Sequence, residues 1–137
     1  MIPDTLKVLL VDDEVEFTRA LAMVLGRRGF EVETVADGLQ ALSLVAKKYY
    51  NVVVLDIKMP GMSGIRVLAE IKRFAPAVQV ILLTGQFSLT DEDDTLKTGA
   101  YAYLLKPFPV LKLVELISAA ARCEAGVPEE SSSFCPL

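Results

Sequence analysis

Short β-branched apolar runs alternate with helical patterns along this chain, and that alternation limits the folds open to it more than any other feature. The runs are Leu6 to Val11, Glu31 to Val35, Val52 to Leu55, Val78 to Leu83, and Tyr101 to Leu104. Between the runs, apolar residues recur with the i, i+3, i+4, i+7 spacing of amphipathic helices. Strands that alternate with helices predict an α/β fold with a parallel sheet covered on both faces.

The first and last predicted helices have the clearest apolar stripes. The first carries Phe17, Ala20, Leu21, Val24 and Leu25 before Gly29, and the last, from Pro109 to about Arg122, carries Val110, Leu113, Val114, Ile117 and Ala121. The same spacing begins at Gly38, and a shorter form of it begins at Val67. The predicted fourth helix, residues 88–98, offers little apolar surface and carries the acidic run 91–94, so we expect it to be short or mobile.

One domain followed by a tail accounts for the whole length. The chain has 137 residues and 53% hydrophobic content, which is enough for a single buried core. Residues 124–137, EAGVPEESSSFCPL, have no apolar period and little to bury. We therefore expect a domain of residues 1–123 and, after it, a disordered tail or the start of a linker.

Charge and cysteine content exclude several classes of protein. The net charge is −4, and the tail holds three glutamates without lysine or arginine, which leaves residues 1–123 nearly neutral. This argues against direct nucleic acid binding, because such binding needs clustered cations. Cys123 and Cys135 lack a CxxC spacing and the chain has no histidine, so we expect reduced thiols rather than a zinc site. Because no leader or membrane-spanning pattern is visible, we expect a cytoplasmic protein with no membrane association.

The first strand ends in consecutive acidic residues, Asp12, Asp13 and Glu14. Strand ends that lead into helices lie at one edge of a parallel sheet, so Asp56, after the third run, belongs at the same edge. Right-handed crossovers can make the first and third strands neighbours, which would bring Asp12, Asp13 and Asp56 together. Because such carboxylates repel each other by roughly 4 kcal/mol per pair at about 4 Å, we expect a divalent cation. The oxygen ligands favour Mg²⁺.

Two further strand ends carry groups suited to phosphate chemistry. Thr84 supplies a hydroxyl and Lys106 an ammonium, a compact charge suited to a phosphoryl oxygen. Each residue alone has a commoner interpretation. Asp12 and Asp13 would cap a helix, Thr84 would bond to nearby backbone, and Lys106 would be a solvated surface charge. Their combination favours a phosphorylation site.

These motifs, taken in order, resemble the receiver domain of two-component response regulators. They are DD at 12–13, DIKMPGMSG at 56–64, TG at 84–85 and GAYAYLLKPF at 99–108, within a similarity that extends from about Lys7 to Arg122. The resemblance implies a flavodoxin-like (βα)5 three-layer sandwich with a parallel sheet in strand order 2-1-3-4-5. It also implies a signalling phosphoacceptor, loaded from the phosphohistidine of a histidine kinase or phosphotransfer protein. Such a domain catalyses only its own phosphoryl transfer and slow self-dephosphorylation.

The resemblance assigns a role to each candidate site residue. Asp56 would be the phosphoacceptor; Asp13, Asp56 and the Lys58 backbone carbonyl would hold Mg²⁺, with Asp12 acting mainly through water; Thr84 and Lys106 would contact the phosphoryl oxygens. A cis Lys106–Pro107 bond would aim the lysine inward. These assignments make the strand ends a single reaction centre.

The resemblance also implies a switch that carries the signal to a partner. Thr84 and Tyr103 would couple phosphorylation to the surface formed by the fourth helix, fifth strand and fifth helix. Leu111 and Leu116 lie off the main stripe of the last helix and are candidate contact residues on that surface. A second copy of the chain or a downstream protein would be the output partner.

Two other functional classes share parts of this pattern. A phosphatase of the haloacid dehalogenase type also forms an aspartyl-phosphate. Its D-x-D motif requires a second aspartate two residues after the first, and neither Asp12 nor Asp56 has one. A flavodoxin-like nucleotide or flavin binder needs a loop rich in glycine or hydroxyl groups after the first strand, where this chain has VDDEVEF. Since the 137 residues contain no histidine, any phosphohistidine donor lies outside them.

Overall fold

The computed structural model describes residues 5–85 and 99–122, which form a five-stranded parallel sheet flanked by helices. The elements are β1 (Lys7–Val11), α1 (Val15–Arg27), β2 (Glu31–Val35), α2 (Gly38–Lys47), β3 (Val52–Asp56), α3 (Gly64–Phe74), β4 (Gln79–Thr84), β5 (Ala102–Leu105) and α4 (Val110–Arg122), the last of which is the predicted fifth helix. The predicted helix at 88–98, the tail and both cysteines lie outside the described residues. The sheet order β2-β1-β3-β4-β5 confirms the predicted topology.

Local sequence signals set the helix ends. The Asp37 carboxylate accepts a hydrogen bond from the Gln40 N–H at 2.8 Å and caps α2, and the Ser63 hydroxyl does the same for α3. Gly29 has a positive φ of 98° and its N–H donates to the Gly26 carbonyl, which stops α1 where the sequence predicts. Short-range chemistry therefore fixes these boundaries.

β3 lies near the middle of the sheet and is buried along its whole length. It pairs with β1 on one side and β4 on the other, with Leu9 opposite Val53 and Asp56 opposite Leu83. A strand covered on both faces reads as a continuous apolar run, which is why VVVLD shows no alternation. The same register carries Asp56 to the carboxyl edge of the sheet.

The core has two layers because successive side chains of a strand point to opposite faces of the sheet. On one face, Leu9, Val53, Leu55 and Leu82 pack with α2 and α3 residues such as Ala41, Val67 and Ile71. On the other, Val8, Leu10, Val54 and Ile81 pack with α1 and α4 residues such as Leu21, Leu25 and Leu113. The described residues therefore form the predicted three-layer sandwich.

The buried face of α4 differs from the predicted stripe. The helix buries Leu113, Leu116, Ile117 and Ala120, so the expected role of Leu116 as a surface contact residue is wrong. Leu111 is 56% exposed, in keeping with its predicted position outside the core. Apolar residues occur on several sides of this helix, and only its packing against the sheet selects the buried face. None of the helices in the described ranges is long and apolar enough to cross a lipid bilayer.

Candidate functional site

Three carboxylates meet at the carboxyl edge of the sheet, as the sequence predicts. Asp12 follows β1 and Asp56 ends β3, the neighbouring strand. One carboxylate oxygen from each of Asp12, Asp13 and Asp56 lies within 4.8 Å of the other two. Asp12 and Asp56 are buried, whereas Asp13 is exposed. The cluster therefore has a closed side toward the sheet and an open side toward solvent.

A tight turn between β1 and α1 orients Asp12. Its N–H donates to the Val35 carbonyl at 3.2 Å, and its Oδ1 accepts the Glu14 N–H at 2.9 Å. Glu14 is the N-cap residue of α1 and makes no side-chain cap bond. The alternative in which Asp12 and Asp13 act as helix caps is therefore wrong, and the Asp12 carboxylate faces the cluster instead.

The loop after β3 packs closely around the backbone of Asp56. Asp56 Oδ1 accepts the Lys58 N–H at 3.3 Å, and the Gly64 N–H donates to the Ile57 carbonyl at 2.8 Å. A Cβ atom on Gly64 would lie 2.2 Å from the Asp56 carbonyl oxygen, too close for any other residue. Gly64 is thus needed for this close approach and is the first residue of α3, whereas Gly61, with φ 80°, serves the turn.

Burial dominates the electrostatics of Asp56. Only 6% of the residue is exposed, and burial together with the neighbouring charge of Asp12 raises the pKa of its carboxyl to about 6. The Lys106 ammonium and the Lys58 N–H act in the opposite direction. In the absence of a metal ion, the Asp56 carboxylate therefore holds its negative charge less readily than a free carboxylate does.

Lys106 reaches the cluster from the end of β5. Its Nζ lies 2.8 Å from Asp12 Oδ2, 2.9 Å from Glu14 Oε1 and 3.8 Å from Asp56 Oδ2. The Lys106–Pro107 bond is cis, as the resemblance implies. Desolvation lowers the pKa of the ammonium, but the hydrogen bonds to Asp12 and Glu14, together with the charges of Asp12 and Asp56, raise it overall, so the group stays charged. The ammonium group of Lys106 therefore lies beside Asp56, the predicted acceptor.

Thr84 is the buried last residue of β4. This strand lies between β3, which ends at Asp56, and β5, which precedes Lys106. The Thr84 carbonyl accepts the Lys106 N–H at 2.7 Å, and its strand neighbour Leu83 lies opposite Asp56 in the register. The residue is 5% exposed. The sheet therefore brings the predicted hydroxyl residue to the same edge as Asp56 and Lys106.

Tyr103, the predicted switch residue, lies in the middle of β5 opposite Leu82. It is half-buried and packs against the α2 and α3 side of the core. α4 packs on the other face of the sheet. Tyr103 therefore lies in the edge strand that precedes α4 along the chain. Segment 88–98, the remaining part of the predicted output surface, lies outside the described residues.

Sequence reasoning missed two residues that contact Lys106. Glu14 stood in the acidic run but received no role, and Phe17 was assigned only to the apolar stripe of α1. The Phe17 ring centroid lies 4.7 Å from Lys106 Nζ, and the ring packs edge-on against Phe108. Nothing in the local pattern of α1 indicates a partner that follows almost ninety residues later.

The donor set of the acidic cluster fits a divalent metal ion. Three carboxylates offer hard oxygen ligands, one of them open to solvent, within a spacing that a single ion can span. The flanking Lys106 offsets only part of their charge, because one cation faces three carboxylates. Among the described residues, the carboxyl edge of the sheet is therefore a site that can bind a metal ion.

Comparison with known proteins places these features in a family. A family model described as the response regulator receiver domain matches residues 8–118. The transcriptional regulatory protein ZraR of Klebsiella oxytoca is 38% identical over 113 residues, which are 82% of this chain and 26% of that protein. Among the first curated relatives, the chain spans between 24% and 56% of their own length.

Solved structures agree with this match. A response regulator receiver domain protein (CheY-like) from Methanospirillum hungatei JF-1 has a TM-score of 0.82 at 28% identity, with 94% of this chain and 98% of that chain covered. The response regulator TrrA from Thermotoga maritima, solved in complex with Mg²⁺-BeF, has a TM-score of 0.76 at 33% identity, with coverage of 84% and 98%. Sequence and fold therefore point to the same family.

Proposed function

This chain belongs to the response regulator receiver domain family, and we propose that its phosphoacceptor is Asp56. The observation that carries the assignment is the position of this carboxylate at the end of β3, inside the carboxylate cluster and 3.8 Å from the Lys106 ammonium. Asp12 is already paired with that ammonium, and Asp13 stands on the exposed side. Asp56 is therefore the carboxylate best placed for attack.

The phosphoryl donor is a phosphohistidine of a histidine kinase or phosphotransfer protein. An oxygen of the Asp56 carboxylate attacks the phosphorus in line, so that a P–O bond forms as the P–N bond breaks. The imidazole leaves with the bonding electron pair and takes up a proton from water. Since these 137 residues contain no histidine, the donor is supplied from outside them.

Asp13, Asp56 and the backbone carbonyl of Lys58 would hold Mg²⁺, with Asp12 acting mainly through water. When bound, Mg²⁺ neutralises the carboxylates and the phosphoryl oxygens. The spacing of the carboxylate oxygens supports this assignment. So does the relative TrrA, whose structure was solved with Mg²⁺-BeF.

Lys106 and Thr84 position the phosphoryl group. The Lys106 ammonium stays protonated and moves from its carboxylate partners to a phosphoryl oxygen, which carries more charge than a carboxylate oxygen. The Thr84 hydroxyl donates a hydrogen bond to another phosphoryl oxygen. Positioning and charge stabilisation suffice for such a transfer. In this proposal the domain acts only on its own phosphoryl group, which it loses by slow self-dephosphorylation.

The output is a change in protein contacts. A phosphoryl group on Asp56 draws the Thr84 hydroxyl toward it, and Tyr103 fills the space beside β5. This alters the surface of β5 and α4, which binds a second copy or a downstream protein. The relatives are transcriptional regulators of which this chain spans only part, so the partner of this output surface is also part of the proposal.

Incubation with acetyl phosphate and Mg²⁺, followed by intact-mass measurement, tests the acceptor. We expect one phosphoryl mass gain in the native chain and none in Asp56→Asn. Asp37→Asn, which changes an aspartate outside the cluster, is the matched control and should be labelled normally. A normal mass gain on Asp56→Asn, or full labelling in excess chelator, would refute the assignment.

A further inference from the structure

Besides Asp56, the Lys106 ammonium contacts three other side chains, those of Asp12, Glu14 and Phe17. It is bonded to Asp12 and Glu14 at 2.8 and 2.9 Å, and it lies over the Phe17 ring at 4.7 Å. The nearest Asp56 oxygen is farther away, at 3.8 Å. Before phosphorylation, the ammonium therefore lies closer to Asp12 and to Glu14, the N-cap residue of α1, than to the acceptor.

The backbone of Glu14 is fixed, whereas its carboxylate is exposed. Its N–H donates to Asp12 Oδ1 at 2.9 Å, and its carbonyl accepts the Thr18 hydroxyl at 2.8 Å. The side chain makes no helix-cap bond and is 63% exposed. Its carboxylate can therefore release Lys106 without disturbing α1.

Phe17 gives the ammonium a fixed wall. Its ring packs edge-on against Phe108 with a centroid separation of 6.2 Å, which ties α1 to the segment between β5 and α4. The attraction between an aromatic ring and a cation is electrostatic and, unlike a hydrogen bond, does not fix the cation at one position on the ring. Lys106 can thus move along the ring between Glu14 and Asp56 while it keeps this contact.

We propose that Glu14 is a positioning residue that holds the Lys106 ammonium back from Asp56 and so slows phosphoryl uptake. This inference rests on the proposed function of Asp56. An ion pair with an exposed partner is weak, so the phosphoryl group displaces Glu14, and the expected delay is only about two- to fivefold. Dephosphorylation is unaffected, because Lys106 is bound to the phosphoryl group both before and during attack by water.

Rates of uptake from acetyl phosphate and of loss after its removal, both at saturating Mg²⁺, test this inference. Glu14→Gln should speed uptake about two- to fivefold and leave the rate of loss within about twofold. Glu14→Asp keeps the charge but is one methylene shorter, so it should behave like Glu14→Gln. Glu16→Gln removes a charge from an exposed residue of α1 outside the cluster, and it should behave like the native chain.

An NMR measurement on the unphosphorylated protein gives an independent readout. The Lys106 side-chain resonances should shift in Glu14→Gln and stay in place in Glu16→Gln. The inference is overturned if Glu14→Gln takes up phosphate at the native rate, if Glu16→Gln accelerates it equally, or if Glu14→Asp matches the native chain. Failure of the proposed function looks different, because the native chain itself would then gain no phosphoryl mass on Asp56.

Discussion

Lys106 Nζ lies 2.8 Å from Asp12 Oδ2, so an ion pair joins the end of β5 to the end of β1 across β3 and β4. Only 3% of the Asp12 side chain and 18% of the Lys106 side chain are exposed. A buried pair of this kind is costly to break, because the remaining charge has no partner. The acidic edge is thus partly neutralised before any metal ion binds.

The raised pKa of Asp56 predicts a pH-dependent stability in metal-free protein. A carboxyl with a folded pKa of about 6 and an unfolded value of about 3.9 binds its proton more tightly when folded. Its contribution is therefore full below about pH 4 and is lost as the pH rises through about 6. Asp56→Asn should abolish this loss and raise the free energy of unfolding at pH 7 by about 1 to 2 kcal/mol, after allowance for solvent screening at the open edge.

Urea denaturation in chelator from pH 4 to pH 8 measures this effect. Glu16→Gln, which removes a carboxylate outside the cluster, should keep the native pH profile. Added Mg²⁺ should stabilise the native chain at pH 7 more than it stabilises Asp56→Asn. Parallel profiles for the native chain and Asp56→Asn would contradict the prediction.

Gly64→Ala should distort the loop that holds Asp56. A Cβ at this position would lie 2.2 Å from the Asp56 carbonyl oxygen and 2.7 Å from Ile57 Cα, and backbone cannot move aside cheaply. We expect a loss of about 1–3 kcal/mol in stability, as for overpacking, together with weaker Mg²⁺ binding. Gly26→Ala is the matched control, since a Cβ there meets nothing within 4 Å and should stabilise α1 by up to about 1 kcal/mol. Equal melting temperatures for the two variants would contradict the close approach at Gly64.

Tyr101→Phe should be neutral or stabilising. Its hydroxyl is buried and has no hydrogen-bond partner among residues 5–85 and 99–122, and burial raises the pKa of the group. Removal of such an unsatisfied hydroxyl is expected to gain up to about 1 kcal/mol. Tyr50→Phe is the contrasting variant, because the Tyr50 hydroxyl donates to Glu33, and its loss should cost about 1 kcal/mol. Thermal denaturation distinguishes the two variants. A loss of stability in Tyr101→Phe comparable to that in Tyr50→Phe would show that the Tyr101 hydroxyl does have a hydrogen-bond partner.

Thr84→Ala should separate phosphorylation from its output. Asp56 keeps its neighbours, so the variant should still accept phosphate. It lacks the hydroxyl that drives the movement of Tyr103, and the change in self-association or partner binding should be largely lost. Tyrosine fluorescence and sedimentation report this change, because the chain contains four tyrosines and no tryptophan. Identical behaviour of the phosphorylated native chain and phosphorylated Thr84→Ala would refute the coupling.

The sequence by itself determined the sandwich and the composition of its reactive edge. Alternating runs and helical periods specify the elements, because each period reflects which side chains a local structure turns inward. In a parallel sheet every strand then delivers its last residue to the same edge, so the positions of Asp56, Thr84 and Lys106 followed from their place at strand ends.

Tertiary structure alone decided which side chains face one another. Leu116 is buried and Leu111 exposed because α4, apolar on several sides, could settle on the sheet in more than one rotation. Likewise, Glu14 and Phe17 contact Lys106 only because the folded sheet lets this side chain reach from the end of β5, across β3 and β4, to the start of α1. Local periodicity specifies each element, but contacts between distant residues depend on the packing of all the elements together.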